Sequence, residues 1–130
     1  MKTFLFSIAI ACCLLACKKE SVRPGLFGKW ELRHVHGGDF VEVDTVYKPG
    51  NGNAYQFNSD STYKKYVKGV LSSSGRFHIP KNNSPSENYI VVIVFDNDTS
   101  GEPFAMTGVE LTLGTASSGG IESDYQKISN

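Results

Sequence analysis

The sequence predicts an all-β domain, eight short strands in an antiparallel up-and-down meander that closes into a barrel or a strongly curved half-barrel. Three observations carry that expectation. From Gly28 onward, apolar and polar residues alternate with a period of two in short runs. Clusters of Gly, Pro, Asn and Ser separate the runs at hairpin spacing. The chain holds 13 Gly, 8 Phe and 6 Tyr and lacks the Leu/Ala/Glu/Lys-rich stretches of helical proteins. Closure is preferred because it leaves no strand edge unpaired.

At 130 residues there is room for one domain, and no internal repeat divides it. The 13 basic and 13 acidic residues balance, with no basic block longer than Lys18-Lys19, which excludes a clustered nucleic-acid surface. Ahead of the domain, Met1-Lys2 is followed by an uncharged run of 13 residues, Phe4 to Ala16. A bilayer span needs about 20. Residues 1–16 therefore read as a secretory signal peptide. Its end, Leu14-Leu15-Ala16-Cys17, resembles the bacterial lipobox. That resemblance implies lipid transfer to the Cys17 thiol, cleavage before Cys17 and acylation of the new N-terminus. Cys12 and Cys13 would leave with the signal, so no disulfide framework is expected. Several acyl chains give stable anchoring where one gives only marginal binding. Lys18 stands in place of the aspartate associated with inner-membrane retention, which implies the outer membrane, with the periplasmic or surface face left open.

Residues 17–25 are charged and end in Pro24-Gly25, so they read as a flexible tether of at most about 30 Å. The domain, residues 26–130, then begins with a strand over 29–35, with Trp30 and Leu32 on one face and Glu31 and Arg33 on the other. A second strand is expected over 39–47. Pro49-Gly50-Asn51-Gly52 turns the chain into a third over 53–57, which puts Tyr55 and Phe57 inward. Asn58 to Ser61 forms a four-residue hairpin loop before a fourth strand over 62–68. Ser72 to Gly75 reads as a turn before a fifth strand over 75–79, with Phe77 inward. The sixth, 88–95, is apolar on both faces, with Val91 and Ile93 on one and Ile90, Val92 and Val94 on the other. A seventh is expected over 104–113 with a bulge at Gly108, where the alternation slips, and an eighth over 124–128. An immunoglobulin-like sandwich is the structural rival, but the one Trp stands in the first strand rather than centrally.

Gly28-Lys29-Trp30 at the head of the first strand resembles the G-x-W signature of lipocalins. Tyr55-Gln56-Phe57-Asn58-Ser59-Asp60-Ser61-Thr62-Tyr63 resembles the Y-x-F-x-x-D-G-T-Y hairpin of small lipocalin-like lipoproteins of the Bacteroidetes type. Gly75-Arg76-Phe77-His78-Ile79 and Asp124 to Ile128 are similar to two further strands of that group. Ser61 stands where the turn glycine is usual, and no arginine matching the family's occurs on the last strand. The resemblance implies a lipocalin-like barrel, with Trp30 closing one end and a small ligand or a partner bound.

Two functional readings follow. In the first, a small apolar ligand occupies the barrel interior, lined by Trp30, Tyr55, Phe57, Phe77, Val91 and Ile93. In the second, the core is filled and the outer surface works, as an accessory subunit or inhibitor of an envelope protein partner, through Ile90, Val92 and Val94. His34, His36 and His78 would make a three-histidine metal site only if they converged. With His34 and His36 beside Gly37-Gly38, they read as surface or rim residues, and no metal or other cofactor is expected. Asp96 to Glu102 places a glycine as a calcium loop does but has Thr107 where the closing glutamate belongs, and reads as an acidic turn. No nucleophile elbow, P-loop or H-E-x-x-H motif is present, and no enzyme is expected.

Overall fold

A computed structural model describes residues 22–80, 91–96, 98–115 and 119–130. The signal peptide, Cys17 and Ile90 lie outside the described residues. Nine strands form one antiparallel sheet: β1 (Gly28–Gly37), β2 (Val43–Val46), β3 (Ala54–Phe57), β4 (Thr62–Val67), β5 (Val70–His78), β6 (Val92–Phe95), β7 (Glu102–Thr107), β8 (Glu110–Gly114) and β9 (Ile121–Ser129). From β3 to β9 each strand pairs with the next, and β9 pairs with β1, which also pairs with β3. Eight strands thus close into a barrel, and β2 is an extra strand beside the far half of β1. The meander and its closure are as the sequence predicts. This architecture is compatible with a lipocalin-like fold.

Several boundaries differ from expectation, three of them through a change in how the chain turns. Lys68 and Gly69 both have positive φ, 50° and 81°, and turn the chain in two residues, with Val67 opposite Val70. Ser72 to Ser74 therefore belong to β5, as solvent-facing strand rather than turn. The expected bulge at Gly108 is instead a two-residue hairpin: Thr107 pairs with Glu110, and Gly108 takes φ 60° at the turn's first position. A bulge and a two-residue turn both shift an alternating pattern, so the sequence shows the same slip for either. The expected second strand shortens to β2. The chain from 43 to 57 runs antiparallel to β1 twice, pairing at His34↔Val46 and again at Glu31↔Ala54, and the intervening residues loop outward.

The interior is packed with aromatic rings. Trp30, Tyr55, Phe57, Tyr63, Phe77, Ile93, Leu111 and Leu113 form the buried core, with Leu26, Phe95, Phe104 and Tyr125 against it. The Tyr55 ring stacks on Phe57 at 5.6 Å and on Phe95 at 5.7 Å between centroids. Phe77 meets Phe57 edge-on at 5.1 Å, and Phe95 meets Tyr63 edge-on at 4.7 Å. Such pairs add about 0.5–1.5 kcal/mol each beyond area burial. With no disulfide among the described residues, this stack is what the fold stands on.

Candidate functional site

One end of the barrel is closed by the segment leading into β1. The Trp30 Nε1–H donates to the Leu26 carbonyl at 2.7 Å. Lys127, on β9 and 5 % exposed, donates to the Arg23 and Gly25 carbonyls at 2.7 and 2.9 Å and lies over the Trp30 ring. The Arg23 N–H donates to the Asn130 side chain at 2.7 Å. Arg23 to Gly25, expected as tether, are thus held against the barrel. Gly28 shows why a glycine begins the G-x-W segment: its φ is 128°, and a Cβ there would stand 2.3 Å from the Ser129 carbonyl oxygen.

Elsewhere the barrel opens into a recess of about 400 Å³ that Trp30 does not line. Leu32, Tyr55 and Tyr125 contribute apolar and aromatic wall, Tyr47, Tyr66 and Val67 extend it, and Lys65 and Ser123 add polar groups. The Lys65 ammonium sits 5.2 Å from the Tyr55 ring centroid. Burial raises the Tyr55 and Tyr125 hydroxyls above the ordinary tyrosine range, so both are neutral hydrogen-bonding groups at physiological pH. Burial also raises the nearby Glu102 carboxyl, against the pull of Lys65.

The rim of the recess is positioned by a buried carboxylate. Glu31 faces away from the barrel interior, yet its side chain is only 6 % exposed because the loop from Lys48 to Gly52 folds over it. Its oxygens accept from Arg33 at 2.6 Å, from the Gly50 N–H at 3.1 Å and from the Gly52 N–H at 3.2 Å. Asn51 donates to the Leu32 carbonyl at 2.9 Å and closes the loop onto β1. Tyr47 and Asn53, which flank this loop, stand in the recess wall. Burial pushes the Glu31 carboxyl up, but the hydrogen bonds from Arg33, Gly50 and Gly52 outweigh it and hold the group below its ordinary value.

Of the six residues expected to line a ligand cavity, Trp30, Phe57, Phe77 and Ile93 are buried in the filled core. Tyr55 alone among them borders the recess. Val91 keeps the interior parity of Ile93 but precedes the first residue of β6 and is 39 % exposed, a correction to its expected burial. The outer face of β6 is also not a free surface. Val94 is buried, and the backbone at Gly101 packs on the methyl groups of Val92 and Val94. The residues the sequence reading did not single out are Tyr47, Lys65, Tyr66 and Tyr125. Their aromatic and strand-alternating character is visible in the sequence, but not which end of the barrel stays open.

His34 and His36 stand on the outer surface, as expected, and a bulge in β1 is what puts them there. Leu32 pairs with Tyr125 and His34 with Asp124, so Arg33 is an extra residue without a β9 partner. This bulge reverses the alternation. Val35 takes the interior parity, and His34 and His36 move to the outer face beside Asp44, Glu122 and Asp124. His78 lies at the end of β5, separated from β1 by β3 and β4. The three histidines do not converge.

The acidic turn is structural. Asp96 accepts from the Tyr63 hydroxyl at 2.9 Å and the Arg76 N–H at 2.9 Å, while Asp98 accepts from Ser100. Their carboxylates serve separate partners rather than one cation.

The chain matches no protein-family model, no curated protein and no solved structure. Fold and site together define a small closed antiparallel β-barrel with a filled aromatic core and a tyrosine-walled recess.

Proposed function

We propose that this chain is a lipid-anchored protein of the bacterial outer membrane whose lipocalin-like barrel binds a small apolar ligand in the recess beside Tyr55. The observation that carries the reading is the recess itself. Its volume of about 400 Å³ falls within the roughly 300–1,000 Å³ of small-molecule sites. Its wall of tyrosines and aliphatic groups, with the two lysines Lys65 and Lys68, suits a flat apolar molecule carrying a polar or anionic end. With the core filled by aromatic rings, the recess is the space this reading assigns to the ligand, in place of the deep cavity a lipocalin-like sequence suggests.

Anchoring rests on the signal-like residues 1–16 and the Leu14-Leu15-Ala16-Cys17 segment. With Arg23 to Gly25 bonded to the barrel, the chain from Cys17 to Val22 would set a reach of at most about 20 Å from the membrane.

The filled interior also favours a second reading, in which the barrel works through its outer surface on an envelope protein partner. Burial of Val94 argues against the face of β6 as that surface. Native mass spectrometry of the protein purified from its own host separates the two. A retained small molecule is expected; a co-purified protein with no small molecule would favour the second reading instead.

A further inference from the structure

We infer that the outer face of the β1–β9 seam is a zinc site in which His34 Nδ1, His36 Nε2 and an Asp124 oxygen are ligands, Glu122 supplies the fourth, and Asp44 fixes the His34 tautomer. The bulge at Arg33 creates the arrangement. It puts two imidazoles on one outer face at i and i+2, directly opposite Asp124 and Glu122 on β9.

Three of the donor pairs already stand close to the spacing of ligands on one ion. His36 Nε2 lies 3.3 Å from Asp124 Oδ2 and 3.3 Å from Glu122 Oε1, and His34 Nδ1 lies 3.6 Å from Asp124 Oδ2. The donor atoms of His34, His36 and Asp124 all fall within 4.8 Å of one another. Tetrahedral zinc with bonds of about 2.0–2.1 Å sets neighbouring ligand atoms about 3.3 Å apart. The imidazole rings stack at 4.6 Å between centroids, which keeps the two side chains next to each other on this face.

The surrounding groups orient these ligands as outer-shell partners do in metal sites. His34 Nε2 is 2.6 Å from Asp44 Oδ1. A hydrogen bond to that carboxylate places the proton on Nε2 and leaves the Nδ1 lone pair for a metal. Thr112 Oγ1–H donates to Asp124 Oδ1 at 2.8 Å, which leaves Oδ2 turned to the histidines. Two imidazoles and two carboxylates form a donor set suited to zinc, and a dication relieves the crowding of Asp44, Glu122 and Asp124. The ion would tie β1 to β9 across the seam that closes the barrel. This site is independent of the recess, and neither reading depends on the other.

Titration of the full chain in detergent with zinc alone tests the inference by calorimetry and thermal unfolding. One saturable zinc per chain and a rise in Tm are expected. His34→Ala and His36→Ala should each abolish the saturable binding, His78→Ala should leave it unchanged, and Asp44→Asn should weaken it roughly tenfold or more. In ¹⁵N spectra of the wild-type protein, zinc should bind His34 through Nδ1 and His36 through Nε2, a readout independent of whether the variants fold. Saturation only at millimolar zinc, binding unchanged in the histidine variants, or imidazole signals unmoved by zinc would each overturn it.

Discussion

Lys127 holds its ammonium 5.5 Å from the centre of the Trp30 ring and donates to the carbonyls of Arg23 and Gly25. One lysine on the last strand therefore ties the lead-in segment down over the buried indole that caps the barrel. Replacing it by methionine keeps an apolar cover on the ring but removes both hydrogen bonds. Lys127→Met should cost about 1–3 kcal/mol, read as a lower urea midpoint. It should also loosen the lead-in, read as faster amide hydrogen exchange at Arg23 and from Gly25 to Phe27. Unchanged exchange there would show that the lead-in is held by other contacts.

Glu31 makes the hold on the loop from Lys48 to Gly52 depend on pH. Its carboxyl is held below the ordinary glutamate value by Arg33, Gly50 and Gly52, despite the opposing effect of burial. A group depressed in the folded state stabilises fully above its unfolded value, about 4.3, and loses that contribution as pH falls through the folded value. Glu31→Gln should therefore be less stable than wild type by about 1–3 kcal/mol at neutral pH, with the gap narrowing in acid. A gap constant with pH would mean the carboxylate's charge is not what holds the loop.

These two residues also show what sequence pattern can and cannot convey. The hairpin from Tyr55 to Tyr63 was legible because its turn is made locally: Thr62 is bonded to the Asp60 side chain and Asn58 to Thr62. Trp30 was legible as a core residue because it alternates with charged neighbours. Glu31 and Lys127 were not legible as buried. Each is a charged residue in an alternating strand, and each is covered by a segment distant in sequence. Gly37-Gly38 marked His34 and His36 as surface residues, but the bulge that turns them outward was hidden for a related reason, since a bulge is defined by the partner strand. The recess follows the same rule: its tyrosines were present in the sequence, but the open region of the barrel depends on where the 47–53 loop comes to rest.

Ser61 stands at φ 65°, where its Cβ is strained and where the resembled hairpins carry glycine. The left-handed conformation costs a non-glycine residue about 1–2 kcal/mol, and glycine's extra unfolded-state freedom returns about 0.5–1 kcal/mol of that. Ser61→Gly should therefore stabilise the domain by roughly 0.5 kcal/mol, the difference between those terms. Matched chemical unfolding curves measure it. A loss of stability would mean the serine side chain contributes to the turn.

Cys17 is the residue on which the anchoring proposal can be tested directly. Cys17→Ala should release the protein from the membrane fraction, since no acyl chain can then be attached at that position and one apolar chain or more is needed for even marginal binding. Fractionation of cells expressing each form tests this. Tight membrane attachment of the variant would refute lipidation at Cys17 as the means of anchoring.

Ser123 offers a direct test of the recess. It lies on β9 with interior parity, opposite Leu113 and Val35, and borders the same space as Tyr55 and Tyr125. A larger apolar side chain there would grow into open volume rather than into the packed core, so the overpacking cost of a buried site does not apply. Ser123→Leu should leave stability within about 1 kcal/mol of wild type while filling part of the recess. Native mass spectra of this variant from the same host should then lack the retained small molecule. A variant that folds normally and still carries the ligand would place the binding site elsewhere on the barrel.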